Sequence, residues 1–484
     1  MATLRNAQKV HFIGIGGVGM SPTAKLLKDS GIEVTGSDEE VYPPVSDFLV
    51  QEGLPYRTPY KAENIPADAD LIVIGKNAKL VPETNEEVAA ALASGKTILS
   101  YPEVLGILSE NKETIIVAGS YGKSSTAALL SHCLVEAGLD PSFFIGAIPY
   151  SPSTSAKLGD GKLFVLEGDE YPSSNTDARA KFLHYHPSHL LITPLAHDHF
   201  NVFPTTTDYL KPFSELINIL PPEGTITIST AGSLSKEFIA SLSRPSITYG
   251  VTEGEFHAAH IVWGEKTRFD ILSRRKVGTP TEASGQNTET VVADVETSQL
   301  GEHNVENIVG VAAFLFSHNL VTPEQFAEAV KSFKGIRRRL DKKSEKTSIP
   351  IYEGFGSSYE KARSAIEAMR LHFPKRRLLI IFEPHTFSWR NRASLSWYDT
   401  VFEGASKIYI YEPAAQGAAT HEQLTQEEII ERTKKAGFDV EKLLSPDISL
   451  TQDDVVLILT SGHLGGLMEP IIAHTEAKFP KMTS

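Results

Sequence analysis

The chain has 484 residues, 41% hydrophobic and 22% charged, and its 46 Lys and Arg against 60 Asp and Glu leave a formal net charge of −14. That balance supports several buried cores and excludes a disordered chain, while the acidic excess argues against nucleic acid or an anionic membrane as main partner. A single cysteine, Cys133, excludes a disulfide framework and a cysteine-rich metal site and fits a reducing compartment. No apolar run approaches the roughly eighteen residues of a membrane span. The N-terminus runs directly into a strand-like stretch rather than a signal peptide, so a cytoplasmic location is expected.

Short apolar runs at 10–15, 71–74, 115–118, 163–166 and 190–193 alternate with helix-length amphipathic stretches, which predicts an α/β protein with parallel sheets and crossover helices. A first segment, 1–110, ends near the polar stretch 109–113. A second, 111–341, closes with a Thr-rich, strand-like region at about 244–300 that is expected to be antiparallel β. The charged stretch 342–346 reads as a linker into a third segment, 342–484, with strands expected at 377–382, 407–411 and 455–459. Cys133, on the helix after the second glycine-rich turn, is expected in the core.

The first motif is Gly14-Ile15-Gly16-Gly17-Val18-Gly19, directly after a strand and before a helix, with Asp38 at the end of the next strand. Glycines admit close approach of a pyrophosphate, and the helix N-terminus supplies N–H groups and positive dipole. The spacing suits NAD, and a UDP-sugar carries the same pyrophosphate. A tight turn needing glycine only for packing is the bland alternative.

The second motif is Gly119-Ser120-Tyr121-Gly122-Lys123-Ser124-Ser125-Thr126 after the strand at 115–118. It resembles a P-loop, although Val117 stands where the first glycine of the full spacing belongs. Backbone N–H groups would cradle phosphates, Lys123 would meet β/γ-phosphate charge, and Ser124 could ligate Mg²⁺. Glu167-Gly168-Asp169-Glu170-Tyr171 follows at the end of the next strong strand, near the ligand crevice of an open sheet. Glu167 is placed as an oxygen ligand for Mg²⁺. His197-Asp198-His199 follows another strand. Read alone it would also suit a zinc hydrolase, which has no need of the P-loop-like turn.

Together and in this order, these elements resemble the Mur ligase superfamily, ATP-dependent amide ligases of peptidoglycan assembly. Gly301-Glu302-His303-Asn304-Val305-Glu306-Asn307 is similar to the family's helix start near the adenine. Arg338-Arg339-Leu340 is similar to its closing motif, whose arginine reaches the γ-phosphate. The resemblance implies an N-terminal Rossmann-like UDP-binding domain, a central P-loop-type ATPase domain with an antiparallel β extension, and a C-terminal Rossmann-like domain that holds the amino substrate. It implies ATP and Mg²⁺ as cofactors and small molecules as the only partners. Lys123, Glu167, His199 and Arg339 would be catalytic, and Ser124, Glu167 and His199 would hold metal. Gly119 to Ser125, His303, Asn304, Asn307, Arg338 and Arg339 would bind ATP. Gly16, Gly17, Val18, Gly19, Met20 and Asp38 would bind the UDP-sugar, with His385, Arg390 and Arg392 meeting the amino substrate's carboxylates.

Two branches share the N-terminal turn: UDP-N-acetylmuramate–L-alanine ligases and the ligases that recycle murein tripeptide. Val41-Tyr42-Pro43-Pro44-Val45-Ser46 and Lys181-Phe182-Leu183-His184-Tyr185-His186-Pro187 resemble the recycling branch, which is favoured. Gly16 to Ser21 and Phe382-Glu383-Pro384-His385 resemble the alanine branch. The family's Asp-Asp-[YF]-x-His-His-Pro is here Glu353-Gly354-Phe355-Gly356-Ser357-Ser358-Tyr359, and an acidic position after the Glu-x-Asp-Glu motif is Pro172. The departures imply intact ATP and metal binding with an altered third-domain contribution. That means a changed amino substrate, compensation by Glu353 or Lys361, weak activity, or a non-catalytic nucleotide sensor.

Overall fold

A computed structural model describes residues 4, 6–42, 45–198, 202–274, 288–412 and 423–481. The first α/β layer contains β1 (Lys9–Ile13), α1 (Met20–Asp29), β2 (Glu33–Ser37), β3 (Tyr56–Arg57), β4 (Leu71–Ile74) and β5 (Thr97–Leu99). Among the described residues its strands order β3-β2-β1-β4-β5, all parallel. Alternation explains the two-sided burial. Val10, Phe12, Leu71 and Val73 face one core, while Ile13 and Ile72 face the other. The order reverses between β1 and β4, which opens a crevice where β1 runs into the first glycine-rich turn.

Helix α2 (Tyr101–Ser109) leads out of this layer; Ser100 and Glu103 form its capping box. Then come β6 (Glu113–Ala118), α3 (Lys123–Glu136), β7 (Ser142–Phe144), β8 (Ala156–Lys157), β9 (Leu163–Glu167), β10 (His189–Ile192), β11 (Thr225–Ser229) and β12 (Ile247–Gly250), followed by β13 (Phe256–Val262), β14 (Thr267–Ser273) and β15 (Glu289–Thr297). They form a second sheet in the order β15-β14-β13-β12-β11-β10-β6-β9-β7-β8. Strand β6 is its switch point: β9 pairs on one side and β10 on the other, both parallel. Cys133 is buried on α3 as expected.

The antiparallel expectation from residue 244 needs correction at its start. β12 is parallel to both β11 and β13. Gly254, at φ +107° and packed on the Tyr249 backbone, lets the chain loop tightly and re-enter in the same direction. β13, β14 and β15 do show the alternating burial of half-solvated strands.

A third sheet holds β16 (Arg339–Lys342), β17 (Ile351–Gly354), β18 (Arg377–Phe382), β19 (Lys407–Ile410), β20 (Val440–Lys442) and β21 (Asp454–Leu459), in the order β16-β17-β21-β18-β19-β20. The β16–β17 pair is antiparallel and the rest parallel. The charged stretch 342–346 is therefore the turn of a hairpin rather than a free linker. Its charges are satisfied locally, with Lys342 Nζ 2.5 Å from Glu265 and 2.7 Å from Glu345.

By internal contacts the chain forms two compact units: Met1–His260 with Phe269–Val295 and Glu306–Lys334, and Ile261–Arg268 with Glu296–Val305 and Gly335–Ser484. The first sheet and the parallel core of the second belong to the first unit, and the third sheet to the second.

One polar cluster is sealed within the first sheet. Glu87, fully buried, accepts from Ser37 Oγ (2.7 Å), His11 Nε2 (2.9 Å), Lys61 N (2.9 Å) and Asn64 Nδ2 (3.0 Å). Burial alone would raise its pKa, but these donors outweigh it and hold the carboxyl below the ordinary value. Ser37 in turn offers its carbonyl to Gly14 N and Ile15 N, so the cluster braces the first glycine-rich turn. Glu87→Gln is expected to cost about 1–3 kcal/mol at pH 7 by urea unfolding, the cost of a disrupted buried hydrogen-bond set. Because the folded pKa is depressed, this stabilisation is present above the unfolded pKa. The difference between wild type and variant should close as pH falls through the lower, folded pKa.

Candidate active site

The register of the second sheet builds the site. Val117 of β6 lies opposite Glu167 of β9, and Ala118 opposite Ile192 of β10. The loop leaving β6 is therefore flanked by the ends of both neighbours. Gly119 adopts φ +137°, where a Cβ would come 2.2 Å from Thr193 Oγ1. Gly122 caps α3 at φ +84°, where a Cβ would come 2.5 Å from Asn307 Oδ1. Only glycine fits either position. Ser120 Oγ is 2.7 Å from Ala196 O and 2.6 Å from Tyr209 Oη, so it pins the loop from behind. Tyr121 is exposed and Ser125 half-buried at the rim. Asn307, on α4 (Glu302–Ser317), accepts from Thr126 Oγ1 at 3.1 Å and supports the same loop.

Lys123 Nζ donates to Gly119 O at 2.6 Å and pairs with Glu170 Oε2 at 3.1 Å. Glu170 is 1% exposed. Burial raises its pKa and the Asp169 charge adds to the rise, while Lys123 opposes it. Ser124 Oγ donates to Glu167 Oε1 at 2.7 Å, and Gly146 N donates to Glu167 Oε2 at 2.6 Å. A hydroxyl and a carboxylate therefore converge beside the helix N-terminus. They are hard oxygen donors suited to Mg²⁺, which takes its remaining ligands from phosphate and water. Among the described residues no cluster of three or more His, Cys, Asp or Glu offers an all-protein metal cage. His199 lies outside the described residues. His197 Nε2 is 2.7 Å from Phe203 O, a loop-stabilising bond.

The first glycine-rich turn opens onto the same cleft. About 300 Å³ is enclosed by Val18, Gly19, Tyr101, Lys123, Phe144, Gly146, Glu167, Asp169, Glu170, Tyr171 and Lys181. Gly19 is held to glycine by the Tyr101 ring, 2.6 Å from where its Cβ would stand. Gly17 N and O are used within the turn, and the Met20 side chain is buried in the core. Gly16 N donates to Asp38 Oδ2 at 2.8 Å, and Tyr60 Oη donates to Asp38 Oδ1 at 2.8 Å. Asp38 thus braces the turn. Sequence reasoning placed Glu170 near the crevice with the rest of its motif but missed Tyr101 and Lys181 as lining residues. Lys181 was quoted only for a likeness to one branch of the family, and Tyr101 carried no signal.

His303, Asn304, Arg338, Arg339, His385, Arg390 and Arg392 belong to the second unit. Asn304 Nδ2 donates to Leu300 O at 2.8 Å. Arg339 opens β16 opposite Gly354, with Arg338 and Leu340 on either side at φ +62° and +56°. Non-glycine residues held there carry strain, a recurrent mark of functional backbone. Arg392 pairs with Glu428 at 2.8 Å, and His385 Nδ1 lies 3.6 Å from buried Glu383. The departures have structural explanations. A Cβ on Gly354 would meet Leu459 at 3.2 Å and Ala365 at 3.6 Å, so apolar packing fills the space around it. Ser358 caps α5 (Tyr359–His372), and Lys361 Nζ reaches Ser357 Oγ at 3.1 Å. Glu353 is buried against Lys343 (2.8 Å) and Arg338 (3.7 Å).

Comparison with known proteins decides the family. Residues 9–113 match "Mur ligase family, catalytic domain" and residues 117–315 match "Mur ligase middle domain", together more than half of the chain. The chain belongs to the Mur ligase family. Mur ligases are ATP-dependent enzymes that form C–N bonds, and this chain is an enzyme of that class. A UDP-N-acetylmuramate–L-alanine ligase of Endomicrobium trichonymphae is 28% identical over 96% of this chain and 98% of its own length. The UDP-N-acetylmuramate–L-alanyl-γ-D-glutamyl-meso-2,6-diaminoheptandioate ligase of Escherichia coli K12 is also 28% identical, over 96% and 97%. The crystal structure of the UDP-N-acetylmuramate–alanine ligase of Thermotoga maritima shares the fold, with a TM-score of 0.75, 21% identity, and 97% and 99% coverage.

Gly122→Ala is expected to destabilise the loop by about 1–2 kcal/mol from the left-handed backbone alone, with the Asn307 clash added. It should lower both the thermal unfolding temperature and the affinity for a fluorescent ATP analogue.

Proposed function

We propose that this Mur ligase joins the carboxylate of UDP-N-acetylmuramate to the amine of the murein tripeptide L-alanyl-γ-D-glutamyl-meso-diaminopimelate, with ATP and Mg²⁺, in peptidoglycan recycling in the cytoplasm. The single observation that carries the acyl-donor half is the shared cleft. Val18 and Gly19 of the first turn and Lys123 and Glu167 of the second line one cavity, so a ligand held at the first turn presents its far end to the phosphates at the second. Three functional domains are assigned: 1–110 for the UDP-sugar, 111–341 for ATP, 342–484 for the amino substrate. The tripeptide is favoured by the Lys181 to Pro187 stretch, whose Lys181 lies in the cleft, and by Tyr42 to Ser46, of which Pro43 and Pro44 lie outside the described residues.

In this reading the glycine-rich loop and the N-terminus of α3 receive the ATP phosphates, and Lys123 offsets their charge. Ser124 and Glu167, with His199, would hold Mg²⁺, which supplies further neutralisation of phosphate charge. Asn307 supports the loop, and the family resemblance gives His303, Asn304, Arg338 and Arg339 of the second unit a part in binding ATP. The substrate carboxylate oxygen attacks the γ-phosphorus and ADP leaves. The amine then attacks the acyl phosphate carbon, loses a proton, and expels inorganic phosphate to leave the amide. His385, Arg390 and Arg392 would meet the carboxylates of the peptide. No helix among the described residues is long and apolar enough to cross a membrane.

Phosphate release from ATP and UDP-N-acetylmuramate, offered tripeptide or L-alanine, tests this. Tripeptide-dependent release is expected, and Lys123→Met should reduce it by at least about 100-fold. Release with L-alanine alone would assign the enzyme to the alanine branch, which Phe382 to His385 resembles. ATP binding without release with either amine would mark a nucleotide sensor on a ligase scaffold.

A further inference from the structure

Lys181 is given no ligand in the reading above, yet its ammonium reaches the cleft. Nζ lies 2.5 Å from Asp169 Oδ2, 5.7 Å from the centre of the Tyr101 ring and 5.8 Å from that of Tyr171. Its side chain is only 15% exposed. The charges lining the cleft group around two lysines. At the glycine-rich loop, Glu167 and Glu170 outnumber Lys123, which suits a cation. Around the other lysine, Asp169 faces Lys181, and a second lysine approaches. Lys76 Nζ donates to Pro172 O at 3.1 Å, and after burial it is Lys181 that most depresses the Lys76 pKa. Two ammonium groups against one carboxylate leave this group positive, which suits an anion.

The position of Lys181 indicates which anion. The Tyr101 ring near its ammonium is the ring against which Gly19 of the first turn is packed. A ligand whose diphosphate rests at that turn therefore lies beside Tyr101, the ring next to Lys181, and Lys123 lines the same cleft. Lys181 already holds a carboxylate, that of Asp169, in a site partly walled by aromatic rings. Asp169 is partly exposed, and its other oxygen stays anchored by Tyr171 N at 2.9 Å, so an exchange need release only the oxygen that faces Lys181. Lysine offers a compact cation with three rotatable donors and can exchange one carboxylate for another without repacking.

We propose that Lys181 is a substrate-binding residue that exchanges Asp169 for the carboxylate of the acyl donor and so delivers that carboxylate toward Lys123. The inference rests on the reading of the cleft as the site of a UDP-sugar acid. The test is calorimetric titration of the full chain, without ATP or metal, with UDP-N-acetylmuramate and with UDP-N-acetylglucosamine, which lacks the lactyl carboxylate. Lys181→Gln should weaken UDP-N-acetylmuramate by about 10- to 100-fold, the worth of one charge-assisted hydrogen bond, and leave UDP-N-acetylglucosamine unchanged. Lys181→Arg should bind both within about threefold of wild type, since it keeps the cation. Equal losses on both ligands, or none on either, would overturn the assignment. Wild-type protein that binds neither nucleotide sugar would overturn the underlying reading of the cleft instead. Should Lys181→Gln not fold, Asp169→Asn decides. It removes the competing carboxylate and should tighten UDP-N-acetylmuramate alone, whereas weaker binding of that ligand would refute the exchange.

Discussion

The ion pair between Lys123 and Glu170 is the contact on which the cleft depends. Glu170 sits at the end of a buried strand with almost no solvent access, where an unpaired charge would be expelled or protonated. Lys123 answers it, and the same ammonium is tied back to Gly119 O, so the pair fixes the path of the loop as well as the charge. With Lys123 placed, Ser124 must fall at the first turn of α3, where its hydroxyl meets Glu167. Asp169, one residue before Glu170, pairs with a second cation, Lys181. Four side-chain positions thus follow from one buried carboxylate.

The charge distribution resolves an apparent paradox. A chain of net charge −14 belongs to a family whose members use ATP, itself an anion. The positive charge at its cleft is local: helix N-termini behind two glycine-rich turns, and the cleft lysines Lys123 and Lys181, each paired with a carboxylate. The first turn is stiffened from behind by Asp38 and, through Ser37, by the sealed Glu87 cluster. Such bracing spares a flexible glycine segment the entropy of ordering when an anion arrives.

In the second unit, the residues that depart from the family pattern are integrated rather than vestigial. Gly354 lies against Leu459 and Ala365, Ser358 caps a helix, and Trp389 Nε1 donates to Gly356 O at 2.8 Å. The strained Arg338 to Leu340 stretch pairs with the strand that carries Glu353 and Gly354.

By sequence alone, the strands at 71–74 and 377–382 were legible to the residue and the six others given bounds to within one or two, because β-branched and aliphatic runs have few alternatives to a two-sided parallel sheet. The two glycine-rich turns were equally legible, since their left-handed backbone and close contacts leave glycine no substitute. Only the tertiary structure could decide that both turns open onto one cleft, because that depends on strand order at β1 and β6, which no local pattern encodes. It also decided that Asp38 and Ser120 brace their loops and that Tyr101 and Lys181 line the cleft. Whether a polar side chain faces a ligand or its own backbone is settled by register and packing between segments far apart in the chain.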